Sequence, residues 1–193
     1  PERALLALQG PQAVQALIEG DAVNGMFDVA GNPSLMMEGD VVAMKFRDSM
    51  AASETASSAP IFIRDSLVSP YADGFAFVHY LREFDGWDAV NAAFKSRPQS
   101  TEQILHPELY LADARPIAIA ERKPPAATGL VQLHAATWGE AGWGSFLRSH
   151  GVAAEQAGSA AAGWGGDRVV LIGPADGAAH PTLTTGVAVT AWD

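Results

Sequence analysis

The sequence predicts a mainly helical protein with a small antiparallel β element at its C-terminal end, an α+β class. Three observations carry this. Apolar residues recur at helical spacing through residues 1–110, a capping-box pattern occupies Ser100, Thr101, Glu102 and Gln103, and beyond Pro116 the pattern shifts to short alternating runs set between glycines.

The elements follow in order. Leu5, Leu8, Val14, Leu17, Ile18, Ala22, Met26 and Phe27 predict a helix over 4–30, interrupted at Gly10 and Pro11, where the proline is suited to open a new helix. Asn32 and Pro33 mark a turn. Leu35, Met36, Val42, Met44, Phe46 and Met50 predict a second helix over 34–52, and the small polar stretch 51–59 reads as a loop. A third helix covers 61–84, bent or restarted near Pro70; Asp85 and Gly86 end it, and 87–94 forms a short fourth. After the break at 96–98, the Ser100 hydroxyl and the Gln103 amide are placed to satisfy free backbone donors of a first turn, in a helix that ends by His106 and Pro107. Residues 116–121 alternate like a strand, with a turn at 123–125. Helical patterns occupy 139–149 and 153–162. Two β-branched runs, 168–172 and 183–192, flank a Gly/Pro/Asp turn at 173–181 and predict an antiparallel pair.

A chain of 193 residues suits one domain, with 1–110 a helical subdomain and 111–193 an α+β tail packed on it. It starts at Pro1 and stops at Trp192 and Asp193 inside an apolar run, so the expectation is a fragment cut from a larger protein. Hydrophobic residues make up 48% and charged residues 18%, a globular balance. The net charge is −10 and the 12 basic residues are scattered singly, which argues against nucleic acid as a partner. No apolar run approaches the ~20 residues that span a bilayer. Without cysteine there is no disulfide, thiolate metal site or thiol catalysis. Residues 163–166 make no phosphate loop, since the Lys-Ser/Thr ending is missing, and no Gly-x-Ser-x-Gly elbow appears.

Two segments carry candidate chemistry. In Leu17-Ile18-Glu19-Gly20-Asp21-Ala22, a carboxylate lies on an otherwise apolar helical stretch, costly to bury unless it meets a cation or metal, and the adjoining glycine admits close backbone approach. The plain alternative is that Glu19 points to water. In Pro70-Tyr71-Ala72-Asp73-Gly74-Phe75-Ala76, Tyr71 is placed to project its phenol into a cleft; the plain alternative is an amphipathic ring with its hydroxyl in solvent.

Taken together, Glu19-Gly20-Asp21-Ala22 followed by Pro70-Tyr71 with Gly74-Phe75-Ala76 and an apolar helix resembles the second half of a gluzincin-type zinc peptidase domain, the aminopeptidase-N-like branch being the nearest comparison. The resemblance implies the helical C-terminal subdomain of a zincin-like fold, Zn²⁺ as cofactor, Glu19 as third metal ligand and Tyr71 as the catalytic phenol that stabilises the oxyanion. Two His ligands and a general-base Glu would come from an HExxH helix upstream. Such a His₂Glu set leaves zinc one open position for water. A wider similarity rests on Gly86-Trp87-Asp88-Ala89-Val90-Asn91, on Pro98-Gln99-Ser100-Thr101-Glu102-Gln103-Ile104-Leu105-His106-Pro107 and on Gly163-Trp164-Gly165-Gly166-Asp167-Arg168. These runs are similar to a largely uncharacterised group of bacterial and archaeal metallopeptidase-like proteins, which implies a peptide or protein substrate and an extracytoplasmic location.

One departure governs the expectation. No His-x-x-x-His pair exists in the chain, whose five histidines are His79, His106, His134, His150 and His180. Either the HExxH segment precedes Pro1 or the metal site is degenerate; the first is preferred, since Glu19 has 18 residues ahead of it and the third ligand of aminopeptidase-like gluzincins follows the second His by about that distance. His106, with Glu108 across a proline, is a cleft candidate, the alternative being a rigid connector with His106 bonded to backbone. His79, two turns after Tyr71, could join the pocket or serve as a core or interface histidine. Asp167 and Arg168 read as a local ion pair holding the Gly-Trp-Gly-Gly turn, with Trp164 a core anchor. Two functions stand: the C-terminal portion of a zinc-dependent metallopeptidase, inactive by itself, or a catalytically inactive peptidase-like binding module.

Overall fold

The structure is a computed structural model that describes residues 11–31, 38–53, 58–120, 124, 129–174 and 185–192. Helices α1 (Pro11–Val29), α2 (Gly39–Ala51) and α3 (Ile61–Lys95) are followed by two single-turn helices, α4 (Thr101–Leu105) and α5 (Pro107–Leu111). Strand β1 (Leu130–Ala136), helices α6 (Gly139–Ser149) and α7 (Ala154–Ala161), and strands β2 (Trp164–Pro174) and β3 (Thr185–Trp192) complete the order. The class is the one the sequence predicts: mainly helical, with one three-stranded antiparallel sheet at the C-terminal end. No helix among the described residues is long and apolar enough to cross a membrane. Residues 1–10, the turns at 32–33 and 175–181, and most of the turn at 123–125 lie outside the described residues.

The first core cluster joins α1 through Ala13, Ala16 and Leu17 to α3 through Phe77, Val78, Leu81, Val90 and Ala93, with Ile104 of α4 closing one end. The helix axes come unusually near each other. A Cβ on Gly20 would lie 2.0 Å from the carbonyl oxygen of Gly74, and one on Gly74 would lie 2.0 Å from the carbonyl oxygen of Ala16. Backbone therefore packs on backbone, and only glycine fits on both sides. One turn on, buried Asn24 donates from Nδ2 to the Gly20 and Phe75 carbonyls (2.9 and 3.2 Å), bridging the two helices. Arg82 of α3 reaches Asp28 of α1 at 2.8 Å and lies 4.1 Å over the Trp87 ring.

Helix α3 runs through Pro70 without a restart; Val68, Ala72 and Phe75 are buried around it, and their packing outweighs the helical hydrogen bond that proline cannot donate. The break falls where the sequence places it. Asp85 and Gly86 leave helical dihedrals, and Gly86 (φ 61°, ψ −151°) occupies a region open essentially to glycine alone. The cap at Ser100 forms as read, its hydroxyl accepting from Gln103 N–H at 3.2 Å. The Gln103 side chain reaches one residue further back than a simple box requires, accepting from Gln99 N–H and donating to the Ala114 carbonyl.

In the sheet, β2 is central, with β1 and β3 antiparallel on its two sides. The expected strand at 116–121 is irregular over its described part. With both edges of β2 occupied, Ile117 packs against Gly166 and donates its N–H to the Gly165 carbonyl at 2.6 Å. That carbonyl is available because the β2·β3 register slips between Trp164 and Gly166. The Gly-Trp-Gly-Gly stretch is thus the start of a strand rather than a turn. Trp164 is fully buried, and its Nε1 donates to Asp167 at 2.8 Å. Asp167 also accepts from Trp138 N–H (3.0 Å) and Gly139 N–H (2.9 Å), so a buried carboxylate of β2 caps the first turn of α6, where the helix dipole favours negative charge. Phe62 of α3 and Trp138, at the start of α6, bring their rings to 5.2 Å, and Trp143 and Phe146 extend the aromatic cluster along α6.

Two stability changes follow. Gly20→Ala should destabilise by about 3 kcal/mol, the upper end of overpacking costs, whereas Gly25→Ala, with open space around it, should stabilise by about 0.5–1 kcal/mol; urea unfolding of both variants checks the contrast. Asp167→Ala strands three donors around one buried acceptor and should cost at least about 3 kcal/mol, with Asp167→Asn costing less, read from the same transition.

Candidate functional site

The glycine crossing places the two motif residues on opposing helices. Glu19 adjoins Gly20 on α1, and Tyr71 lies one turn before Gly74 on α3. Both side chains are half-buried. The Tyr71 ring stacks on Phe46 of α2, centroids 6.0 Å apart and planes 22° apart. Among the described residues, neither the Glu19 carboxylate nor the Tyr71 hydroxyl makes a hydrogen bond or ion pair. An acceptor and a phenolic donor thus flank one crossing without local partners.

The histidines are dispersed. His79 is 4% exposed, with its ring 5.9 Å from Phe75, Gly39 of α2 packed against its Nδ1 edge, and Glu83 at 3.6 Å. That is the core-and-interface placement weighed for it from sequence. His134 and His150 are exposed, and His180 lies outside the described residues. Among the described residues, no three His, Cys, Asp or Glu side chains gather where a metal ion could sit. The described residues therefore do not by themselves fit a zinc ion: Glu19 would be one oxygen ligand where at least three protein ligands are needed.

His106 departs from the backbone-bonded connector. It sits between α4 and α5, and its Nε2 meets Glu140 Oε1 of α6 at 3.0 Å, with Glu108 Oε1 3.8 Å from Nδ1. Glu140 is 5% exposed, and its second oxygen is buried without a hydrogen-bond partner among the described residues. Burial raises the Glu140 pKa above its ordinary value; the hydrogen bond and charge of His106 act in the opposite sense. Nothing in the sequence marks Glu140, which reads as an ordinary first-turn carboxylate; the packing of α6 on α4, with Thr101 Oγ1 accepting from Ala141 N–H at 3.2 Å, buries it.

Sequence reading also passed over a set of charges between α2, α3 and α6. Asp73 accepts from Arg47 and from Ser69, and Asp65 accepts from Arg148 at 2.7 Å. Both aspartates are 7% exposed. Burial lowers the Arg47 pKa; Asp65 opposes the shift and Arg148 adds to it. The available signal was Asp65, Ser69 and Asp73 recurring at i, i+4, i+8 on one face of a helix otherwise rich in apolar residues. Comparison with known protein families, with curated proteins and with solved structures finds no match to this chain.

A group whose folded pKa is raised contributes stability most fully below its unfolded value, here the ordinary 4.5 of glutamate, and loses it as pH rises through the folded pKa. Glu140→Gln should therefore gain stability relative to the parent as pH is raised from about 4 to about 8, seen as a narrowing or reversal of the difference in urea midpoints.

Proposed function

We propose that this chain is the C-terminal portion of a zinc-dependent metallopeptidase domain, inactive until an HExxH helix completes the metal site. The reading is supported by one observation above others: the Glu-Gly and Tyr-x-x-Gly halves of the motif meet through their glycines, and the polar tips of Glu19 and Tyr71 have no hydrogen-bond or ion-pair partner among the described residues. When bound, zinc would polarise a peptide carbonyl and lower the pKa of its water. The chain's own contribution is narrower. Glu19 supplies one carboxylate ligand from a helix held rigidly by backbone packing. Tyr71, with its ring braced on Phe46, offers a neutral phenol as hydrogen-bond donor to the oxygen on which charge develops. A peptide or protein substrate and an extracytoplasmic setting belong to the same reading.

The second reading is a peptidase-like binding module without metal. Its support is the absence of any three-ligand group among the described residues.

Zinc measured by elemental analysis decides between them. A form of the chain carrying an HExxH helix ahead of Pro1 should bind one zinc, lose it on Glu19→Gln, and keep it on Tyr71→Phe while kcat falls about 100-fold. Unchanged zinc in Glu19→Gln would remove Glu19 from the metal site; a form with no zinc at all would leave the binding module.

A further inference from the structure

A cleft of about 320 Å³ opens between α2, α3, α6 and α7, and neither Glu19 nor Tyr71 lines it. Its size is at the small end of ligand sites, which run from about 300 to 1,000 Å³. Two guanidiniums line it, each anchored by a buried aspartate: Arg47 on Asp73 and Arg148 on Asp65. Their side chains keep 37% and 33% exposure. Guanidinium carries five N–H donors, and among the described residues each arginine commits one of them to a hydrogen bond. Two adjacent cations with spare donors in a fixed fork suit a carboxylate, which accepts from both and relieves their mutual repulsion. Burial is the main cause that lowers the Arg47 pKa; Asp65 opposes it and Arg148 adds a smaller contribution in the same direction as burial.

Elsewhere in the same wall stands Glu140, with one oxygen held by His106 and the other buried and without a donor. A buried acceptor left in this condition calls for a donor from outside the described residues, and an ammonium group that draws the carboxylate round toward the cleft supplies both the donor and the compensating charge. Glu140 and Arg148 are eight residues apart on α6, roughly 12 Å along the axis. Both side chains lean toward the N-terminal end of the helix, so the separation of their heads stays near that span. An extended peptide covers about 3.3–3.6 Å per residue, so three residues fit between the ends. Gly144 and Gly158 leave that part of the wall without side chains, so a peptide backbone can lie close against it.

We propose that this cleft binds a short peptide with both ends free, its carboxylate held by Arg47 and Arg148 and its terminal ammonium by Glu140. The site does not rest on the metallopeptidase reading, because no metal and neither motif residue takes part.

Calorimetric titration of the chain in EDTA with trialanine, N-acetyl-trialanine and trialanine amide tests it. Trialanine should bind saturably, and blocking either end should weaken binding by roughly tenfold or more. Glu140→Gln should bring trialanine down to the N-acetyl peptide's affinity, and Arg148→Gln down to that of the amide, with Arg148→Lys intermediate because it keeps a cation beside Asp65 and loses the fork. No saturable binding of trialanine up to about 10 mM overturns the proposal, as does equal binding of the three peptides. Variants that melt like the parent and bind like it also overturn it. Should the variants not fold, the three peptides compared on the parent chain alone decide.

Discussion

Everything on the helical side of this protein depends on the approach of α1 to α3 at Gly20 and Gly74. With a Cβ on either residue placed 2.0 Å from an opposing carbonyl oxygen, no other side chain fits without moving a helix. That closeness sets the depth at which Leu17, Phe77 and Leu81 interdigitate, and it lets one buried amide, Asn24, reach carbonyls of both helices. Glu19 adjoins Gly20 and Tyr71 lies one turn before Gly74, so both stand on the helix segments that this contact holds.

The C-terminal part is attached by a different means. At the α3·α6 junction the Phe62 and Trp138 rings meet and Arg148 pairs with Asp65, while His106, between α4 and α5, holds Glu140 of α6. Buried ion pairs are a weak source of stability, because desolvation offsets much of the attraction. Their value lies in direction, as each carboxylate accepts from a donor on another element and so fixes register between elements that share little apolar surface. Asp167 acts in the same way from the sheet, joining β2 to the first turn of α6 and to the Trp164 indole. A polar junction of this kind can carry a cleft, whereas the close-packed α1·α3 core cannot.

Local signals were read from sequence where the cause is local. Gly86 breaks α3 because its dihedrals exclude a side chain, and the Ser100 hydroxyl caps α4 from three residues away. Where tertiary packing competes, sequence reading erred. Pro70 reads as a bend or a restart, and the helix does not restart there, since the buried neighbours on both sides outweigh one missing hydrogen bond. Residues 116–121 alternate like a strand, but a strand needs a free edge, and β1 and β3 already occupy both sides of β2. For the site, Glu19 and Tyr71 could be singled out because motif spacing is a one-dimensional property; Glu140, Arg47 and Arg148 could not, because their significance comes from neighbours 26 to 83 residues away.

By itself, then, the sequence determined the helical character, the breaks and caps and the C-terminal antiparallel pair, all set by dihedral preference, periodicity or short-range hydrogen bonds. Only the tertiary structure decided which polar groups are buried and who partners them. Burial is a property of the assembled fold, and a carboxylate such as Glu140 acquires its raised pKa and its unmet acceptor solely from what packs around it.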